Sequence, residues 1–207
     1  MITDKGKVLD SAMVGEHASL SGMAIIRENA VLEGTAVAEG HAIIEGNALV
    51  TGTAYVRGYV GGDVVITAGD FPEDAEIRSN RDFIAINTEK YYRMSDCESP
   101  LPETEITIYR TKDNQPRITM CSHPGQSLEE FEKFLVERHY NRGFWGGEEL
   151  LATVQSAYKM VCESCARQNI LKDEKDQKTS LSGVKDIAAR QKAEHKASEN
   201  NNKQRSR

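Results

Sequence analysis

The stretch VLEGTAVAEGHAIIEGNALVTGTAYVRG, Val31 to Gly58, repeats one small pattern every six residues. Alanine opens each unit, an apolar residue stands two positions later, and glycine two after that. Working outward in both directions, alanine occupies 12, 18, 24, 30, 36, 42, 48 and 54 without a break. The second column holds Val14, Leu20, Ile26, Leu32, Ala38, Ile44, Val50 and Val56. The third holds Glu16, Gly22, Glu28, Gly34, Gly40, Gly46, Gly52 and Gly58. Alternation within the unit places the alanine and the aliphatic residue on one face of a strand and the residues between them on the other. Six is not a multiple of 3.6, and a glycine in every unit would cost a helix about 1 kcal/mol each time, so a helix is excluded. A meander needs hairpin turns and longer strands than this unit allows. A coil that turns the same way at each corner satisfies the pattern. Each aliphatic residue then stacks on its equivalent in the next coil, and glycine supplies the sharp corner.

These columns resemble the hexapeptide-repeat proteins, whose fold is a left-handed parallel β-helix with three hexads in each triangular coil. The resemblance covers residues 11–69, about three coils, and the left hand comes from it alone. Glycine here lies two residues after the aliphatic position, as in IEGNAL and VTGTAY, a departure from the commonest acyltransferase wording. Beyond Gly58 the columns fade. Val60 and Ile66 fall in the alanine column and Gly62 in the aliphatic one, so the last coil is expected to end near Gly69. So short a stack has two open ends with unpaired strand edges, which calls for a cap.

Past the repeat the sequence changes character. DFIAI alternates, and TEITIYRT and PRITMCS read as two strands joined by a KDNQ turn. Ser127 with Glu130 forms a capping box ahead of a helix whose stripe is Leu128, Phe131, Phe134 and Leu135. A second helix comes after the NRGFWGG loop, with Leu150, Leu151, Val154, Tyr158, Val161, Cys162 and Cys165 on one face. The expected fold is therefore mixed β and α+β. A short parallel β-helix fills 1–70, an α+β domain of hairpin strands plus two helices fills 71–171, and a disordered polar basic tail fills 172–207. Tyr109 through Asp113, Cys121, and Gly125 through Phe131 resemble a segment that follows similar repeats in small phage and prophage proteins. That resemblance implies an accessory role toward a host and no particular reaction.

Charge narrows the partners. The chain carries a net −6, but residues 172–207 hold ten basic against six acidic residues, which leaves 16 basic and 26 acidic in residues 1–171. A body at −10 repels a phosphate backbone, so nucleic acid is set aside except for contact through the tail. No apolar run approaches the roughly 18–20 residues that span a bilayer. Charge near the N-terminus stands where a signal peptide would be apolar, so a cytoplasmic location with reduced cysteines is expected.

Several constellations could carry chemistry. In hexapeptide acyltransferases a histidine acts as general base beside a pantetheine arm; His17 and His41 are the candidates here, both placed outward by the pattern. Cys121 and His123 with Cys162 and Cys165 could form a four-ligand zinc set, although the last two sit on the buried stripe of a helix. Cys121 and His123 share a strand face and could act as nucleophile and base, but no third residue to orient them can be named. The reading that fits best is a non-enzymatic protein with no cofactor that presents its β-helix to a protein partner, with homo-oligomerisation compatible. Its expected contact residues are Glu33, Glu39 and Glu45 in the outward columns and Arg142, Phe144 and Trp145 around the loop. The alternatives are an acyl-CoA-dependent trimer and a protein that sequesters a small ligand.

Overall fold

The computed structural model describes residues 5–88, 105–120, 123–142 and 148–172. Up to Ile77 the first of these segments winds as a parallel β-solenoid of about four turns built from two-residue strands. One face stacks β1 (Lys7–Val8), β4 (Ile25–Ile26), β7 (Ile43–Ile44), β10 (Tyr59–Val60) and β13 (Glu76–Ile77). The second stacks β2 (Met13–Val14), β5 (Val31–Leu32), β8 (Leu49–Val50) and β11 (Val65–Ile66). The third stacks β3 (Ser19–Leu20), β6 (Val37–Ala38), β9 (Tyr55–Val56) and β12 (Asp70–Phe71). Every neighbouring pair is parallel, as in Ile25↔Ile43 and Val31↔Leu49.

The two sequence columns become the interior. Leu20, Ile26, Leu32, Ile44, Val50 and Val56 are fully buried, as are the alanines before them. Burying each such aliphatic side chain stabilises the coil by about 1.5–3 kcal/mol. Between coils the backbone pairs by N–H donation to the following turn, for example Ile25 N to Ala42 O at 2.8 Å and Arg27 N to Ile44 O at 3.0 Å.

The solenoid does not stop near Gly69 but runs on to Ile77. Only Arg57 and Gly58 separate β9 from β10, where four residues, Thr51 to Ala54, separate β8 from β9. This shortened corner moves the columns by two positions, and a second, with only Thr67 to Gly69 between β11 and β12, moves them by one more. Val60, Ile66, Phe71 and Ile77 thus continue the buried aliphatic column, and Val64 and Ala75 the alanine one. Gly58 takes an alanine position because a Cβ there would lie 2.5 Å from the Pro72 carbonyl.

The corners explain the third column. Gly46 adopts φ +75°, and a Cβ on it would meet the Gly62 nitrogen in the next coil at 2.7 Å. Two carboxylates hold the same left-handed conformation elsewhere in the column: Asp10 at φ 57° and Glu28 at φ 62°. Each is compensated by accepting a backbone N–H from the coil above. Asp10 accepts from Glu28 N at 3.1 Å, and Glu28 accepts from Gly46 N at 2.8 Å.

The remainder caps the last coil. An antiparallel sheet runs in the order β14 (Phe83–Asn87), β15 (Glu105–Arg110), β16 (Pro116–Met120), β17 (His123–Gln126). One face of β14 and β15 turns toward the solenoid. Tyr109 joins the solenoid core, and Phe83 meets Phe71 edge-on at 5.3 Å between ring centroids. Glu105 accepts from Gly69 N at 3.0 Å and Thr107 from Asp70 N at 2.9 Å, while Lys112 N donates to Asp74 O at 2.8 Å. On the opposite face Ile86, Ile106, Ile108, Ile118 and Met120 pack on helix α1 (Leu128–Arg142) and on α2 (148–172). The capping box forms as expected: Ser127 N donates to Glu130 at 2.7 Å and Glu130 N to Ser127 Oγ at 3.2 Å.

A buried polar knot ties these layers together. The fully buried Asp82 accepts from Arg78 N at 2.8 Å, from Ser79 N at 3.0 Å and from Ser164 Oγ on α2 at 2.6 Å. Arg110, also buried, donates to it at 3.3 Å. One carboxylate thereby links the solenoid's end, the sheet and a helix.

The two kinds of corner give a comparative prediction. Gly46→Ala carries the left-handed penalty of about 1–2 kcal/mol and a backbone collision costing about 1–3 kcal/mol more. Gly40→Ala, whose nearest neighbour would be Glu73 Oε1 at 3.7 Å, carries only the first. Urea unfolding of the two variants should place Gly46→Ala well below Gly40→Ala; equal losses would contradict the stacking of corners on corners.

Candidate functional site

Neighbours on the solenoid surface are one coil apart in sequence, not one hexad. Glu33, Glu39 and Glu45 follow strands on the second, third and first faces respectively, so they leave the coil at three different corners. Two of them enter compact clusters. Glu45 accepts from the Tyr59 hydroxyl at 2.5 Å and from Arg27 Nε at 2.7 Å. Arg78 lies over the Tyr59 ring at 4.4 Å and donates to Glu76 at 2.6 Å. The Tyr59 hydroxyl, ahead of Arg27, holds the Glu45 carboxyl below its ordinary range. On the third face Arg57 sits over the Tyr55 ring at 5.2 Å and forms a two-pronged pair with Asp70 at 2.7 and 3.0 Å. Burial, with Glu39 beside it, pushes the Tyr55 hydroxyl up to about 12. Burial and Glu45 do the same to Tyr59.

The second face is different. Its outward column is Met13, Val31, Leu49 and Val65, paired directly by the parallel ladder. Met13 is 60% exposed and Val65 47%, with Val31 and Leu49 half-buried between them. The equivalent columns end in polar residues: Lys7 and Glu76 bound Ile25, Ile43 and Tyr59 on the first face, and Ser19 and Asp70 bound Val37 and Tyr55 on the third. A polar border runs along the strip, where Asn29 Nδ2 donates to Asn47 at 3.1 Å and Asn47 Nδ2 to Asp63 at 2.8 Å. Glu33 and Thr51 stand on its other side. Reading the sequence by hexads missed this strip; reading it at 18-residue intervals, Met13, Val31, Leu49, would have found it.

His17 and His41 are both exposed and project from different corners. His41 lies 3.9 Å from Glu73, with both side chains about two-thirds exposed. Cys165 is buried in the core between helices and sheet, and burial pushes its thiol up to about 11. Cys162, half-buried, is raised for the same reason, so neither is poised as a thiolate. Cys121, Phe144 and Trp145 lie outside the described residues, and for His123 and Arg142 only the backbone is described. Among the described residues no group of three or more His, Cys, Asp or Glu is placed to hold a metal ion, and no helix is long and apolar enough to cross a membrane.

The tyrosine clusters predict alkaline sensitivity. Tyr55 and Tyr59 ionise near 12 when folded but near 10 when unfolded. The folded state therefore keeps protons that the unfolded state has lost, and stability falls as pH rises from about 10 to about 12. Thermal melting across that window should show the loss, and Tyr59→Phe should reduce it; a melting temperature flat through the window would contradict the clusters as described.

No protein-family model, curated protein or solved structure matches the chain.

Proposed function

We propose that the protein is a non-enzymatic binding module that uses the second face of its solenoid to recognise another protein. The apolar strip Met13–Val31–Leu49–Val65 carries this reading. A contiguous apolar patch rimmed by polar groups is how protein-recognition surfaces are built, and isolated exposed apolar residues are not. The strip stands on a rigid ladder, so little side-chain or backbone freedom is lost when a partner covers it. Asn47, Asp63, Glu33 and Thr51 supply the polar rim. The resemblance to phage and prophage proteins directs the search to a bacterial host protein. An acyl-CoA-dependent transferase would need a walled groove beside His17 or His41, and both imidazoles stand at exposed corners.

Val31→Glu and Leu49→Glu, on the strip, are compared with Val37→Glu, the matching outward position on the third face. All three should fold, with stability losses of about 1 kcal/mol or less for such outward positions. Capture of a partner from bacterial lysate by the immobilised protein should drop at least tenfold for the first two and persist for Val37→Glu. Loss with Val37→Glu and retention with the other two would place recognition elsewhere. A melting temperature raised by acyl-CoA would favour the enzyme reading.

A further inference from the structure

The two ends of the solenoid are finished differently. At the C-terminal end several N–H groups find acceptors beyond the coils: Glu105 for Gly69, Thr107 for Asp70, Asn80 for Val65 and Asp82 for Arg78. At the other end β1 and β2 are the outermost strands of their sheets. Lys7, Leu9, Met13 and Gly15 donate inward to Ala24, Ile26, Ala30 and Leu32. Alternation along a parallel ladder therefore turns the N–H and C=O of Val8 and Val14 to the open end. Among the described residues no strand meets them there. The side chains agree: Val8 is 37% exposed and Ala12 and Val14 are half-buried, whereas Ile26, Ala30 and Leu32 one coil on are at 0%. Leu9, Met13 and Met23 add exposed apolar surface around the same end. Among the described residues only β3 is covered there, by Gly6 lying against Leu20.

We propose that this edge pairs with the same edge of a second copy, head to head, to give a closed dimer. A surface that offers ladder hydrogen bonds along two sides of a triangular coil is matched by another coil end of the same shape. The C-terminal end of a second copy cannot serve, because its β15 already covers the last coil. The contact is thus isologous and closes at two chains. Charge favours this orientation as well. Lys5 and Lys7 balance Asp10 and Glu16 in residues 5–23, while residues 24–88 carry four basic and ten acidic side chains. Flank-to-flank association would bring two acidic bodies together; end-to-end association would not. A coil side of six residues is about 20 Å, so the end is far smaller than the roughly 800 Å² per partner of a stable interface. The dimer is therefore weak and concentration-dependent. It does not rest on the recognition strip.

Sedimentation velocity of the full chain, from low micromolar to near-millimolar concentration, tests this without any partner. The mean mass should rise from one chain to two and level off. Val8→Pro removes an N–H that no described residue uses, and Val8→Lys places a charge on the edge. Each should move dimerisation to at least tenfold higher concentration while the circular-dichroism spectrum at low concentration stays that of the folded chain. If Val8→Pro fails to fold, Val8→Lys carries the test. A wild-type mass of one chain throughout, growth past two chains, or a dimer indifferent to the folded variants would overturn the proposal.

Discussion

Each turn of this solenoid hands alternate backbone N–H groups to the next, and the last turn must hand them to something else. That obligation organises the rest of the molecule. Unpaired donors buried without acceptors would cost about 1–3 kcal/mol each. The chain meets it by laying β15 across the final coil, where Glu105 and Thr107 accept from Gly69 and Asp70 and Tyr109 enters the core. The antiparallel sheet is the lid of the solenoid on one face and the floor for two helices on the other. Asp82 fixes that layering by accepting at once from Arg78, Ser79, Arg110 and Ser164. Removing one partner from such a buried charged pair costs about 3–5 kcal/mol.

How much of this the sequence discloses depends on the range of the signal. The solenoid is legible because its signal is local and repeated, with small, aliphatic and turning residues at fixed spacing. Its true end is not, because a corner shortened at Arg57–Gly58 looks in one dimension like a pattern dying away. With the phase shifted by two residues at Arg57–Gly58 and by one more at Thr67–Gly69, Val60, Ile66, Phe71 and Ile77 continue the buried column of the coils before them. The hairpin of β15 and β16, the capping box and the helical stripes were also legible, each from a short-range rule. The knot at Asp82 was not. Arg78 and Ser79 are local to it, but Arg110 and Ser164 stand 28 and 82 residues further on, and nothing in their spacing relates them.

The surface was harder to read than the core for a geometric reason. Glu33, Glu39 and Glu45 are neighbours by hexad but leave three different corners. The residues that do meet are one coil apart, as in Arg27 with Glu45 and Asn29 with Asn47. Sorting outward positions by face separates two columns that end in polar or charged residues from one that is apolar from end to end. Strand propensity alone favours such apolar residues at outward positions, so only their unbroken alignment on one face distinguishes them.

Stability is therefore graded along the solenoid: highest where the sheet covers the last coils, lowest at the open first coil. Native-state hydrogen exchange at a concentration low enough to keep the chain monomeric measures this directly, amide by amide. Protection should climb from Leu9, Met13 and Ser19 to Tyr59, Gly61 and Asp70. Uniform protection along the solenoid, or a first coil as slow to exchange as the last, would contradict a fold organised by its cap.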